Sequence, residues 1–195
     1  MSDSLHHTFG QIGAVKPVGS LTHPQEQAIL TGARETLFRI PFGAELIEFA
    51  NQHTVPVKVL SARDIDFSVI DANQVVIYAT PQVPADFHML AMALGCGFRQ
   101  VEHKFIGWPG DGSQPKTPLE ANIFLSKSVD NIMSMCRIAH EYSSVDGYSQ
   151  LIDVVTKLGY GDEYKAYKSG GRFEEISQIF IKRAKEYKEL EKNEG

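Results

Sequence analysis

The chain has 195 residues, with 24 acidic and 19 basic side chains and a net charge of −5, so it lacks the cationic surplus that holds nucleic acid or an anionic membrane surface by charge alone. Hydrophobic residues make up 43% and charged residues 22%, an ordinary globular composition. A chain of this length buries about 70% of its unfolded surface, which excludes a small scaffold dependent on staples.

Residues 1–21 show no hydrophobic period and read as a flexible N-terminal arm, in which the adjacent pair His6-His7 is incidental. Residues 22–195 read as a single domain. Thr22, with Pro24 in the first turn and Gln25 three residues on, predicts a helix start; Ile29, Ala33 and Leu37 are its apolar positions, and it stops before Pro41. Gly43 opens a second, short helix with Leu46, Ile47, Phe49 and Ala50, closed by Asn51 and Gln52. Residues 55–60 predict a strand, and Pro56 near its beginning marks an edge or the entry to the strand. The polar, Asp-rich stretch 61–73 reads as a loop or a weak strand. Gln74 to Ala79, between Asn73 and Pro81, is the strongest strand signal.

A helix is predicted over 84–101, with Phe87, Leu90, Ala91, Leu94, Phe98 and Val101 on one stripe and Met89, Met92, Ala93, Cys96 and Gln100 on the reverse. Apolar on most of its circumference, it is expected to be buried on two sides. Gly95 and Gly97 each cost about 1 kcal/mol of helix propensity, which makes sense where another backbone or a ligand comes close, or where helices pack tightly. A Gly- and Pro-rich loop follows over 104–118, holding the single tryptophan, Trp108. A long helix runs over 118–142 with Leu125, Val129, Ile132, Cys136 and Ala139 inward and Lys127, Asp130, Ser134, Arg137 and Glu141 on the other face. Shorter helices are predicted near 147–158 and 161–168, and a last one over 172–191 with Phe173, Ile176, Phe180, Ala184 and Tyr187 on one face. The expected fold is α+β: a small antiparallel or mixed sheet packed on long helices, with an α-rich C-terminal half. The two cysteines, Cys96 and Cys136, lie in apolar helical patterns and read as reduced, buried thiols, the alternative being a disulfide between the two helices. The N-terminus shows neither a basic n-region nor an apolar signal core, and no apolar run approaches the ~20 residues of a membrane helix; a cytoplasmic location is expected.

The order helix, helix, strand, strand, long buried helix, loop, second long helix is that of zincins. Arg39-Ile40-Pro41-Phe42-Gly43, the short helix, Val57-Lys58-Val59, Val75-Val76-Ile77-Tyr78, Pro81 and the helix over 84–101 together resemble an uncharacterised bacterial family of zincin metallopeptidases. That family reads roughly P-x-G, helix, strand, I-x-L-x-P, then L-A-H-E-L-R-H-A-W-Q, with N-R-x-L-E-A-D-A on its second long helix. Here L-R-H-A-W-Q falls on Phe98 to His103, the preceding H-E on Cys96-Gly97, and N-R-x-L-E on Ser126 to Asp130. Arg99 is the one identity within the core motif. Zinc-dependent peptide hydrolysis needs two histidines one turn apart, a third ligand, an open position for water and a carboxylate to take the water's proton. The two histidine positions hold Cys96 and Gln100, the glutamate position holds Gly97, and Asp130 stands at the third ligand. The resemblance therefore implies a zincin-like scaffold with neither bound zinc nor a catalytic set. The degenerate positions are Cys96, Gly97, Gln100 and Asp130, and a cleft lined by His88, Met92, Arg99, His103 and Trp108 is expected.

Other readings of the same residues stand beside this one. Cys96 reads as a small buried apolar side chain, and Asp130 as a surface-pair member with Lys127 or Ser134. His103 with Glu102, just past the helix end, meets His140 or Glu141 either as acid–base machinery or as a helix cap. Cys136 and His140, four residues apart, are a Cys–His dyad or core packing. Gly95-x-Gly97 lacks the third glycine of a dinucleotide fingerprint, Gly110-Asp111-Gly112-Ser113 is turn chemistry, and Lys182-Arg183-Ala184-Lys185 reads as a solvated helix face. Three functions follow: a pseudo-metallopeptidase domain that binds a protein or peptide, with no cofactor, no nucleic acid and no membrane; an enzyme with altered chemistry around Cys96 and His103; and a structural or oligomerising domain without ligand.

Overall fold

The chain between Thr22 and Asn51 is organised by caps and prolines. In the computed structural model, which describes residues 21–61, 68–71, 74–80, 84, 86–106 and 117–194, α1 spans His23–Phe38. Gln25 Oε1 accepts from both the amide and the hydroxyl of Thr22, each at 2.9 Å. α2 spans Pro41–Gln52 and begins at Pro41 rather than at Gly43, since proline's fixed φ suits the first helical position and its missing N–H is not needed there. The next first-turn donor, the Phe42 amide, is taken by Glu141 Oε2 at 2.8 Å. Gly43 serves close approach: a Cβ there would stand 1.9 Å from the Leu37 carbonyl oxygen.

β1 (Val57–Ser61), β2 (Ser68–Asp71) and β3 (Gln74–Ala79) form one sheet in the order β1-β3-β2. β1 pairs parallel with β3, from Val57↔Val75 to Ser61↔Ala79, and β2 pairs antiparallel on the other side, from Ser68↔Ile77 to Asp71↔Gln74. This corrects the antiparallel alternative: adjacent parallel strands need a crossover, and the segment carrying β2 supplies it. β1 is an edge, and Pro56, just outside it, contributes only its carbonyl, which accepts from the Val75 amide at 2.9 Å. Within the 61–73 stretch Ser61 ends β1, and Ser68–Asp71 is a strand because β3 offers a free edge, a partner that no local pattern announces.

α3 spans His88–Phe105, starting later than 84 because Asp86 Oδ1 accepts from the His88 amide at 2.9 Å and fixes a non-helical approach. Every residue from Leu90 to Phe98 is buried, as its unbroken apolar circumference requires, with β3 and β2, α1, α2 and α4 packed around it. The close approach at Gly95 is side-chain packing: a Cβ there would meet Ile138 Cδ1 at 2.9 Å and Leu37 Cδ1 at 3.2 Å. α4 (Pro118–Val145) opens with Thr117 Oγ1 accepting from the Glu120 amide at 3.2 Å and Glu120 Oε2 from the Thr117 amide at 3.3 Å.

The far side of α4 carries α5 (Gln150–Val155), a π-helical turn (Thr156–Tyr160), α6 (Gly161–Lys168) and α7 (Phe173–Glu194). Leu151, Val155, Tyr160, Tyr164, Ile176 and Phe180 extend the hydrophobic core there without a break. Arg183 departs from the solvated face expected of its run. Its Nη2 lies 2.8 Å from Oε1 of the buried Glu163, its Nη1 donates to the Gly159 carbonyl, and its guanidinium sits 4.3 Å from the Tyr160 ring centroid. The architecture is α+β and mostly helical. Among the described residues no helix is long and apolar enough to cross a membrane. His6-His7, Pro81, Trp108, Gly110 to Ser113 and the Tyr187 side chain lie outside the described residues.

Candidate functional site

α3 and α4 run antiparallel, and two of the positions that the zincin resemblance singles out, Arg99 and Asp130, meet across them. Arg99 Nε donates to Asp130 Oδ2 at 2.7 Å and Nη2 to Oδ1 at 3.1 Å, a two-pronged guanidinium–carboxylate pair. Arg99 Nη1 donates to Glu102 Oε2 at 2.5 Å. The fully buried His103 places Nε2 2.7 Å from Asp130 Oδ2; an ionised carboxylate only accepts, so Nε2 is the protonated nitrogen. Burial works to raise the Asp130 pKa, but the hydrogen bonds from His103 and Arg99 outweigh it and hold the carboxyl down at about 2. The same bonds, those to Asp130 foremost, raise that of Arg99.

This geometry corrects several expectations. Asp130 pairs across to α3, not with Lys127 or with the hydroxyl of Ser134, which donates instead to the Asp130 backbone carbonyl at 2.8 Å. His103 lies inside α3, not past its end, and meets neither His140 nor Glu141. Glu141 accepts from the Phe42 amide and from Arg137 Nε, both at 2.8 Å, and the His140 ring lies 6.4 Å from that of Tyr164 and 6.0 Å from that of Tyr167.

The residues present do not fit a zinc centre. Cys96 and Cys136 are free and buried, and desolvation pushes both thiols up to about 12. A metal ligand or nucleophile needs the thiolate, so burial acts against both roles and against a Cys136–His140 dyad. Gly97 is buried and Gln100 half-buried; neither supplies a base. Asp130 already has both oxygens occupied. Among the described residues no group of three His, Cys, Asp or Glu side chains is placed to hold a metal ion.

A second polar cluster sits at the other end of α3. His88 Nδ1 lies 2.5 Å from Asp86 Oδ1, and its ring stacks on Tyr148 at 3.8 Å and 5°. Tyr148 donates its hydroxyl to Asp86 Oδ2 at 2.5 Å. Burial raises the Asp86 pKa, but the His88 amide, Tyr148 and the His88 ring bring it below the ordinary value; burial and the bond to Asp86 push the Tyr148 phenol up to about 12. Gly147, at φ 69°, reverses the chain after α4, so that the Asp146 and Tyr148 amides both reach the Tyr142 carbonyl, at 3.0 and 3.2 Å. That reversal sets the Tyr148 ring on His88. Sequence reasoning missed this cluster; its two local signals are Asp86-x-His88 at a helix start and Asp146-Gly147-Tyr148 at a helix end.

The described residues of the expected cleft do not share one place. His88 and Arg99 are three turns apart on α3, about 16 Å along its axis, Met92 is buried in the core, and Trp108 lies outside the described residues. Among the described residues of that set, Arg99 and His103 are brought together, both on Asp130. Comparison of the chain with models of protein families, with curated proteins and with solved structures finds no match.

Proposed function

We propose that this chain is a zincin-like pseudo-metallopeptidase domain that works by binding a protein or peptide, with no hydrolytic step. The observation that carries the reading is the state of Asp130. It occupies the third-ligand position of the resemblance, and both of its oxygens are held by Arg99 and His103. A carboxylate in that state is a clamp between two helices; to reach a metal it must first give up three charge-assisted hydrogen bonds. The protonated thiol of Cys96 and the absence of a base at Gly97 point the same way. The test is elemental mass spectrometry of the purified protein, calorimetric titration with zinc chloride, and incubation with casein. No stoichiometric zinc, no saturable zinc binding and intact casein are expected. One equivalent of zinc, lost in Asp130→Ala and accompanied by cleavage, overturns the reading.

A further inference from the structure

The second polar cluster joins the approach to α3, the first turn of α3 and the corner between α4 and α5, and His88 is the group they share. Its Nδ1 lies 2.5 Å from Asp86 Oδ1 and carries a proton, since an ionised carboxylate only accepts. Its Nε2 is buried, has no hydrogen-bond partner among the described residues and stands 3.6 Å from Asp146 Oδ2. In the neutral imidazole that nitrogen holds a lone pair, so two acceptors face each other and nothing joins them. A second proton turns Nε2 into a donor opposite a carboxylate, and a closing movement of about 0.7 Å makes the charge-assisted bond.

The groups around the ring come from each segment packed on it. Tyr148, from the corner, lies flat on the ring at 3.8 Å and 5°, where an imidazolium gains a cation–π contact. Its hydroxyl also donates to Asp86 Oδ2 at 2.5 Å. Tyr142, from α4, meets the ring edge-on at 4.8 Å, and burial and the charge of Asp146 raise its phenol, which keeps it neutral. Tyr142 also feels Arg39 at the end of α1 and Glu141 beside it, two charges that oppose each other. An imidazolium at this place thus has Asp86, Asp146 and the C-terminal end of α4 for it, and Arg39 and the N-terminal end of α3 against it.

We infer that His88 is a proton-operated clasp: protonated on both nitrogens it bridges Asp86 and Asp146 and holds the α4–α5 corner to the entrance of α3, and neutral it releases Asp146 and lets the corner open. The corner is then tightest on the acid side of the ordinary imidazole range and loosens as the pH rises through it.

The test is residue-resolved amide hydrogen exchange by NMR on the full chain at about pH 5.5 and about pH 8, either side of the ordinary imidazole value, each rate taken relative to an unstructured peptide at the same pH. The Asp146 and Tyr148 amides, which donate to the Tyr142 carbonyl at 3.0 and 3.2 Å, report on the corner, and amides in the middle of α3 serve as reference. Protection of the two reporters is expected to be about fivefold greater at the lower pH, the upper end for a partly exposed ion pair, with the reference unchanged. Asp146→Asn removes the charge, and its amide can donate to the neutral ring, so the dependence is expected to vanish or reverse. In His88→Gln protection is expected to be equal at the two pH values. Equal protection of the unsubstituted chain at both pH values, greater protection at the higher one, or a dependence of the original sign that survives in Asp146→Asn or in His88→Gln overturns the inference. So does an equal change in the reference amides, because the pH then acts on the whole domain and not on the corner.

Discussion

Protonating Asp130 removes the charged acceptor for three donors at once: Arg99 Nε and Nη2 and His103 Nε2. Its carboxyl is held at about 2, against an ordinary value of 3.8, with burial opposing and the hydrogen bonds prevailing. A carboxylate depressed in the fold stabilises it at any pH above the unfolded value and loses that contribution as pH falls through the folded one. The window for Asp130 therefore runs from about pH 4 down to about pH 2, and the contribution at neutral pH is about 2 kcal/mol. Asp130→Asn is expected to unfold in urea with a stability lower by roughly that amount near neutral pH, and the gap should close as the pH approaches 2. A gap that stays constant with pH would mean the carboxylate's charge contributes nothing. The thiols give a second residue-scale expectation. With both pushed up to about 12 and buried, neither Cys96 nor Cys136 should react with Ellman's reagent in the native protein near pH 8, and both should react in guanidinium chloride. Fast labelling of Cys96 in the folded state would return it to the list of nucleophiles.

Elements were legible wherever the signal is local. Thr22, Pro24 and Gln25 place a helix start because caps act within one turn, and the long helix expected from 118 begins at Pro118. The apolar circumference of Leu90 to Phe98 foretells a helix enclosed on two sides. What stayed illegible is whatever depends on a partner far along the chain: β2 exists because β3 offers an edge, the parallel β1–β3 pair because β2 lies on the other side, and the bond between Arg99 and Asp130 because two helices pack side by side. The identities of the candidate residues could be read, but not their company. Gly43 illustrates this well, since it reads as a helix opener and is in fact a contact point. A Cβ there meets the backbone carbonyl of Leu37, which has no rotamer to move, whereas at Gly95 it meets the flexible ends of Ile138 and Leu37. Overpacking costs about 1–3 kcal/mol, and glycine to alanine within a helix returns about 1 kcal/mol. Gly43→Ala is therefore expected to destabilise by about 2 kcal/mol and Gly95→Ala by about 1 kcal/mol or less in thermal or urea unfolding. The reverse order would place the tight helix crossing at Gly95.

At the scale of the whole molecule, α4 is the shared wall: α2 and α3 pack on one side of it, and α5, α6 and α7 on the other. The far side is fastened by a charge as well as by apolar contact. Glu163 is 1% exposed and Arg183 18%, with 2.8 Å between Oε1 and Nη2. Burial raises the Glu163 pKa and Arg183 works against that rise. Replacing Arg183 by Met keeps much of the volume over Tyr160 and Phe180 but leaves a buried carboxylate without its cation, a change that costs about 3–5 kcal/mol. The sign of the pH dependence follows. A carboxyl whose folded pKa is raised destabilises the fold only once it must ionise, so the deficit of Arg183→Met is expected to be largest near neutral pH and to shrink as the pH falls through the ordinary glutamate range. Glu163→Gln added to Arg183→Met removes the charge itself and is expected to recover most of the loss and flatten the pH dependence. Hydrogen exchange shows where the loss falls: amides of α6 and α7 should exchange faster in the single variant while those in the middle of α3, enclosed by the sheet and three helices, keep their protection. Equal loss of protection in α3 would mean that the two sides of α4 unfold as one unit and that the Glu163–Arg183 pair secures the whole domain rather than its C-terminal layer.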